Sequence, residues 1–196
     1  QLIDNIKVTG TDWPQGALDV ICASGVAPQY RTSLNANRFG FTGCPVAAPV
    51  KGYATTGSSA VSSYFGQAGD AFGIAAAGAD VWGAGGQRSD QFGAIYRAGS
   101  FGGDATVSTR VVSVNDSNAS AKSGVMVRND ITKAGSSAGY AVVAVTGRNG
   151  VVFEWDANGD GYLDTEAKAS VDVFRPIWVK LARTGTTFTA SYSYDG

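Results

Sequence analysis

Between residues 106 and 194 the chain keeps one rhythm: a short run rich in Val, Thr and aromatic residues, then a turn signal, then another run. Segment 106–114 (TVSTRVVSV) sets Val107, Thr109 and Val111 on one face and Ser108, Arg110 and Val112 on the other. Near the end, Phe188, Ala190, Tyr192 and Tyr194 alternate with Thr189, Ser191 and Ser193. Successive side chains of a strand point to opposite faces, so this period of two marks half-buried strands. Between them lie 124–128 (GVMVR), 140–145 (YAVVAV), 151–155 (VVFEW), 171–174 and 178–182 (WVKLA), separated by GRNG at 147–150 and NGDG at 158–161. No stretch carries a helical period. Many short strands at such spacing predict an all-β, two-sheet antiparallel sandwich of the jelly-roll kind.

Composition supports the same fold class. Gly is abundant at 27 of 196 residues, only Glu154 and Glu166 represent glutamate, and 16% of residues are charged. That is material for strands and turns rather than helices. The net charge is −1 with no run of Lys or Arg, which argues against nucleic acid or an anionic membrane surface as partner. No apolar stretch is long enough to insert into a bilayer.

Three regions follow. Residues 1–50 begin with a short strand at 2–8 and continue irregularly, punctuated by Pro14, Gly16, Gly25, Pro28, Gly40, Gly43, Pro45 and Pro49. Cys22 and Cys44 both fall there, and an even count in a Gly/Ser/Thr-rich chain predicts a disulfide and a secreted, extracellular location. The alternative is a pair of buried free thiols. Residues 51–63 are small and polar, like a linker, and 64–196 form the sandwich. The last strand runs into Asp195-Gly196, a hairpin-turn dipeptide. This predicts a piece of a longer chain, or a gap beside Tyr192 that residues 2–8 fill, from the same chain or from a neighbouring copy.

Segment 156–166 (DANGDGYLDTE) is the sharpest chemical signal. Oxygen donors at alternate positions with Gly at the turn suit a hard cation, so Ca²⁺ is the expected cofactor. Asp156, Asn158 and Asp160 supply side chains, Tyr162 its carbonyl, and Asp164 and Glu166 further oxygens. An EF-hand requires Glu at the twelfth position, where Ala167 stands, and helical flanks, where strands are predicted. The metal-free alternative is an ordinary Asp/Asn/Gly hairpin loop. Catalysis is not expected. The chain has no His, so neither a Ser-His-Asp triad nor a His-ligated zinc site can be assembled within it.

From about residue 64 to residue 196 the chain resembles the concanavalin A-like lectin/glucanase superfamily, in particular jelly-roll modules appended to secreted bacterial glycosidases. The carrying motifs are GADVWG at 78–83, DQFGAIY at 90–96, the strand at 107–114, AKSGVMVR at 121–128, WVKLAR at 178–183 and FTASYSYDG at 188–196. The glucanases of that superfamily carry a Glu-x-Asp-x-x-Glu strand motif, and neither Glu154 nor Glu166 sits in one. The resemblance therefore implies a non-catalytic, lectin-like module that binds a polysaccharide or cell-surface glycan. Aromatic rings stack on sugar faces while polar groups bond hydroxyls, which singles out Trp82, Tyr96 and Trp155 with Asp80, Asp90 and Arg128. Trp178 has the same chemistry, and for each aromatic residue the competing role is core packing. Two other functions compete: a fibre or surface-layer subunit built by strand exchange between copies, and a glycoside hydrolase of the glucanase class.

Overall fold

The structure, a computed structural model, describes residues 2–7, 52–55, 64–68, 71–76, 78–96, 102–131 and 141–196. Cys22 and Cys44, and with them the expected disulfide, lie outside the described residues. Twelve strands are described, β1 (Leu2–Lys7), β2 (Gly52–Thr55), β3 (Tyr64–Ala68), β4 (Ala71–Ala75), β5 (Gly93–Tyr96), β6 (Ala105–Val114), β7 (Lys122–Val127), β8 (Ala141–Thr146), β9 (Val151–Trp155), β10 (Thr165–Ala169), β11 (Ile177–Thr184) and β12 (Thr187–Ser193). The one helical element among the described residues is a 3₁₀ turn at Ala84–Gly86.

Two antiparallel sheets carry the architecture. One has the order β12-β11-β6-β1-β4-β3, the other β10-β9-β8-β7, and a small third sheet pairs β2 with β5. The predicted all-β sandwich is therefore present, with almost no helix. β1 differs from the expected filler beside Tyr192. It lies between β4 and β6, antiparallel to both, with Ile3 opposite Val114 and Ile6 opposite Val111. A central place satisfies the backbone groups of β1 on both sides, whereas a place beside β12 would satisfy only one. Among the described residues, β12 is an edge strand that pairs with β11 alone.

The alternation read in 106–114 has the predicted sense. Val111 faces Ile177, Thr109 faces Val179 and Val107 faces Leu181 across the ladder, while Arg110 and Ser108 pair with Trp178 and Lys180 on the other face. Ile177, Val179 and Leu181 are fully buried and meet Val125, Ala141, Val143, Val145 and Val151 from the opposing sheet. Fully burying each such side chain contributes about 1.5–3 kcal/mol, so this interface is the main stabilising element.

β8 is buried along its whole length, because the outer face of its sheet is also covered. Val142, Ala144 and Val152 pack outward against Val81 and Leu163, with Trp82, Phe92 and Met126 around them. This explains the continuous apolar run at 140–145: a strand covered on both faces needs no polar side. Gly124 is required on β7, since a Cβ there would stand 2.0 Å from the Val143 carbonyl oxygen.

Candidate functional site

The cover over β7–β10 is segment 78–96, which folds back on itself. Gln91 N donates to Asp80 O at 2.9 Å and Ser89 N to Trp82 O at 2.9 Å. Ala79 N donates to Gln91 Oε1 at 2.9 Å. Gly83 N reaches Leu163 O at 2.6 Å, and a Cβ on Gly83 would strike Tyr162 Cβ at 2.4 Å, so the segment and the β9–β10 loop touch through glycine. Arg128 of the chain following β7 clasps the segment from below. Its two terminal nitrogens donate to the two oxygens of Asp90, both at 2.9 Å, and it lies 5.4 Å from the Phe92 ring centre. Both side chains of this ion pair are almost fully enclosed, at 0% and 2% exposure.

A second set of charges opens to solvent. Lys122 Nζ lies 2.7 Å from Asp80 Oδ1 and 3.3 Å from Glu154 Oε1, so two carboxylates from different elements share one ammonium. The register explains the reach. Lys122, Ala144 and Glu154 lie on one diagonal of the outer face, through the pairs Lys122–Thr146, Ala144–Val152 and Val142–Glu154. The small Ala144 leaves room for the long lysine side chain to cross. Exposure falls from Asp80 at 33% through Lys122 at 13% to Glu154 at 3%. Glu154 Oε2 is buried and without a hydrogen-bond partner among the described residues.

These residues line a cavity of about 210 Å³ whose walls include Asp80, Trp82, Lys122, Glu154, Glu166 and Lys168. Glu166 and Lys168 pair with each other at 2.8 Å on β10. At one end of the cavity Asn149 Nδ2 donates to Ser120 Oγ at 3.0 Å. Burial raises the Glu154 carboxyl above its usual range, and Lys122 only partly offsets this. For Lys122, burial alone would lower the pKa, but Glu154 and Asp80 outweigh it and the ammonium is held above the usual lysine value. The cluster thus keeps both charge signs in a half-dry place, an arrangement suited to hydrogen-bonding a polar ligand.

The β9–β10 loop holds the residues expected to bind Ca²⁺. Asp156 Oδ1 accepts from Gly159 N (2.7 Å) and Asp160 N (3.2 Å), and its Oδ2 accepts from Gly161 N (2.9 Å). Asn158 Oδ1 accepts from Asp160 N at 2.8 Å, and Asp160 Oδ1 from Tyr162 N at 3.1 Å. The Ala157 N–H, followed by the Thr165 hydroxyl and the Asn158 N–H, holds the Asp164 carboxyl below its usual range. Arg88 lies 3.0 Å from Asp160 Oδ2 and covers the Tyr162 ring. The donors at 156, 158, 160 and 164 are all hard oxygens and fit Ca²⁺ in chemistry and order. Their oxygens face loop amides in this structure, and no group of three acidic side chains among the described residues gathers as a metal site. Glu166 stands apart, on β10 opposite Glu154.

Of the expected sugar-binding residues, Asp80 and Trp82 meet at the cavity. Asp90 and Arg128 are the enclosed clasp. Tyr96 ends β5 opposite Gly52 of β2. Trp155 faces the main core, stacked on Phe153 with ring centres 5.0 Å apart. Lys122 and Glu154 escaped the sequence reading as site residues. The available signal was a charge inside an apolar strand, Glu154 in VVFEW, on the opposite face from Phe153 and Trp155. Comparison with protein-family models, with curated proteins and with solved structures returned no match. No helix among the described residues is long and apolar enough to cross a membrane.

Proposed function

We propose that this protein is a secreted, non-catalytic carbohydrate-binding module of the concanavalin A-like jelly-roll type. Its glycan site is the cavity between segment 78–96 and β7–β10, and Ca²⁺ stabilises the 156–164 loop. The observation that carries the reading is the company Trp82 keeps: a half-buried indole wall beside Asp80, Lys122 and Glu154, which supply acceptors and a donor for hydroxyls. The two carboxylates lean on one ammonium rather than standing free, which suits binding over proton transfer. For Ca²⁺ the support is the loop's alternating oxygen donors. The rival fibre reading finds less support, because β1, its donor strand, is already paired on both sides within its own chain.

Polysaccharide affinity electrophoresis on a broad glycan panel tests the proposal, with wild type, Trp82→Ala and chelator-treated protein. Retardation by some glycan that Trp82→Ala abolishes is the expected result. A folded protein retarded by no glycan would refute it.

A further inference from the structure

Resting on the glycan-site reading above, we infer that the cavity selects neutral sugars and rejects those bearing carboxylates, because its bonding groups leave one negative charge in excess. Among the described residues, the ionic side chains lining it are Asp80, Glu154 and Glu166 against Lys122 and Lys168. Glu166 and Lys168 neutralise one another. The excess therefore falls where Asp80 and Glu154 divide the single Lys122 ammonium. A sugar carboxylate entering there meets two carboxylates and one cation, in a setting where Coulomb terms are stronger than in water.

A neutral ring has what the cluster lacks. Asp80 Oδ1 accepts from Val81 N at 2.7 Å and from Lys122 at 2.7 Å, while Asp80 Oδ2 takes no hydrogen bond among the described residues. Lys122 has three N–H donors and two carboxylate partners. Glu154 Oε2 is a buried acceptor with no donor among the described residues. Two acceptors flanking one donor match adjacent hydroxyls, each of which both donates and accepts. Lys122 is long and flexible, so a small swing of its end admits a hydroxyl to the Glu154 oxygen beneath it. An unmet buried acceptor favours an arriving donor. It penalises an arriving carboxylate, which has none to give.

The test uses three polysaccharide pairs that share ring and linkage and differ only at C6: galactan, mannan and glucan, each beside its own C6-oxidised uronate form. Affinity is measured by calorimetry or affinity electrophoresis for wild type, Asp80→Asn and Glu154→Gln, each checked for wild-type folding by circular dichroism. Wild type is expected to bind a neutral member at least about tenfold more tightly than its uronate. Either substitution removes the excess charge and narrows that ratio to about threefold or less. Should Glu154→Gln fail to fold, Asp80→Asn alone decides, since its side chain reaches solvent. A uronate bound as well as its neutral partner, or a ratio that neither substitution alters, overturns the inference and leaves the glycan-site reading standing. Binding of no member of any pair, with the wider panel also negative, overturns both.

Discussion

Replacing Lys122 by Met removes the ammonium and keeps most of the volume, and its effect follows from unequal exposure. The Asp80 contact is short, but a third of that side chain is in water, so its loss costs no more than about 1 kcal/mol. Glu154 is different. At 3% exposure it cannot hydrate its charge when Lys122 leaves. Removing one member of a buried pair costs about 3–5 kcal/mol. The 3.3 Å separation and the partial exposure of Lys122 place this case near the lower end, at about 3 kcal/mol at neutral pH. The loss depends on pH. Glu154 has a raised folded pKa, so stability is fully present below the unfolded value and is lost as pH rises through the folded one. Without Lys122 the folded value rises further, and below it the carboxyl folds as a neutral acid. Urea unfolding of Lys122→Met should therefore show the full deficit at about pH 7.5 and about 1 kcal/mol at about pH 4. The double variant Lys122→Met/Glu154→Met should recover to within about 1 kcal/mol of wild type at neutral pH. A deficit under about 0.5 kcal/mol at neutral pH, or one that acid does not shrink, refutes the reasoning.

Three further outcomes follow from the packing and the loop. Arg128→Lys keeps the charge but loses the two-pronged grip on Asp90 and the face against Phe92; it should cost about 2–3 kcal/mol, seen as a melting point lower by several degrees, and an unchanged melting point would show that the clasp bears no load. Gly124→Ala drives a Cβ into the Val143 carbonyl and should abolish folding or lower the melting point steeply, whereas wild-type melting would mean that β7 and β8 separate at little cost. Millimolar Ca²⁺ should raise the melting point by a few degrees and Mg²⁺ should not, with the gain gone in Asp156→Asn/Asp160→Asn; at a hundredfold excess over the dissociation constant the stabilisation is about 2.7 kcal/mol. Equal melting with Ca²⁺ and with chelator rules the ion out.

The strands were legible in the sequence where one face is dry and the other wet. β6 keeps the alternation read at 106–114. On β12 the alternation does not hold, because Tyr192 and Tyr194, set in the sequence on the face of Phe188 and Ala190, are exposed. The run within 140–145 is a strand, β8, that the structure buries on both faces. What the sequence did not show was what covers that second face. Segment 78–96 has no periodicity, and its place depends on Gly83 meeting Tyr162 and on Arg128 finding Asp90, contacts across 79 and 38 residues that local pattern cannot encode. The site was half legible for the same reason. Asp80 and Trp82 stood out as polar and aromatic residues in one short motif. Lys122 and Glu154 become a pair only when β7, β8 and β9 lie side by side, which sets a lysine and a glutamate 32 residues apart on one diagonal. Asp90 and Arg128 have the chemistry of sugar ligands but bond each other in an enclosed space, and exposure is what a sequence conveys least.

The two ion clusters under segment 78–96 invite a single structural explanation, and their differences argue against one. Arg128 and Asp90 match prong for prong and are sealed from water, as expected of a clasp that fixes the cover in place. With that clasp present, a second one adds little. Apolar side chains at positions 80, 122 and 154 would extend the neighbouring cluster of Val81, Val142, Ala144 and Val152 at no loss of stability. Instead the chain keeps a buried glutamate with one oxygen unmet among the described residues, a lysine divided between two acids, and a path of rising exposure from Glu154 to Asp80. Buried polar atoms without partners are rare because they cost stability. A local cost that yields no rigidity is what a binding surface carries before its ligand arrives. On that argument, filling the three positions with apolar residues should leave the fold as stable as before and remove the glycan binding proposed for it.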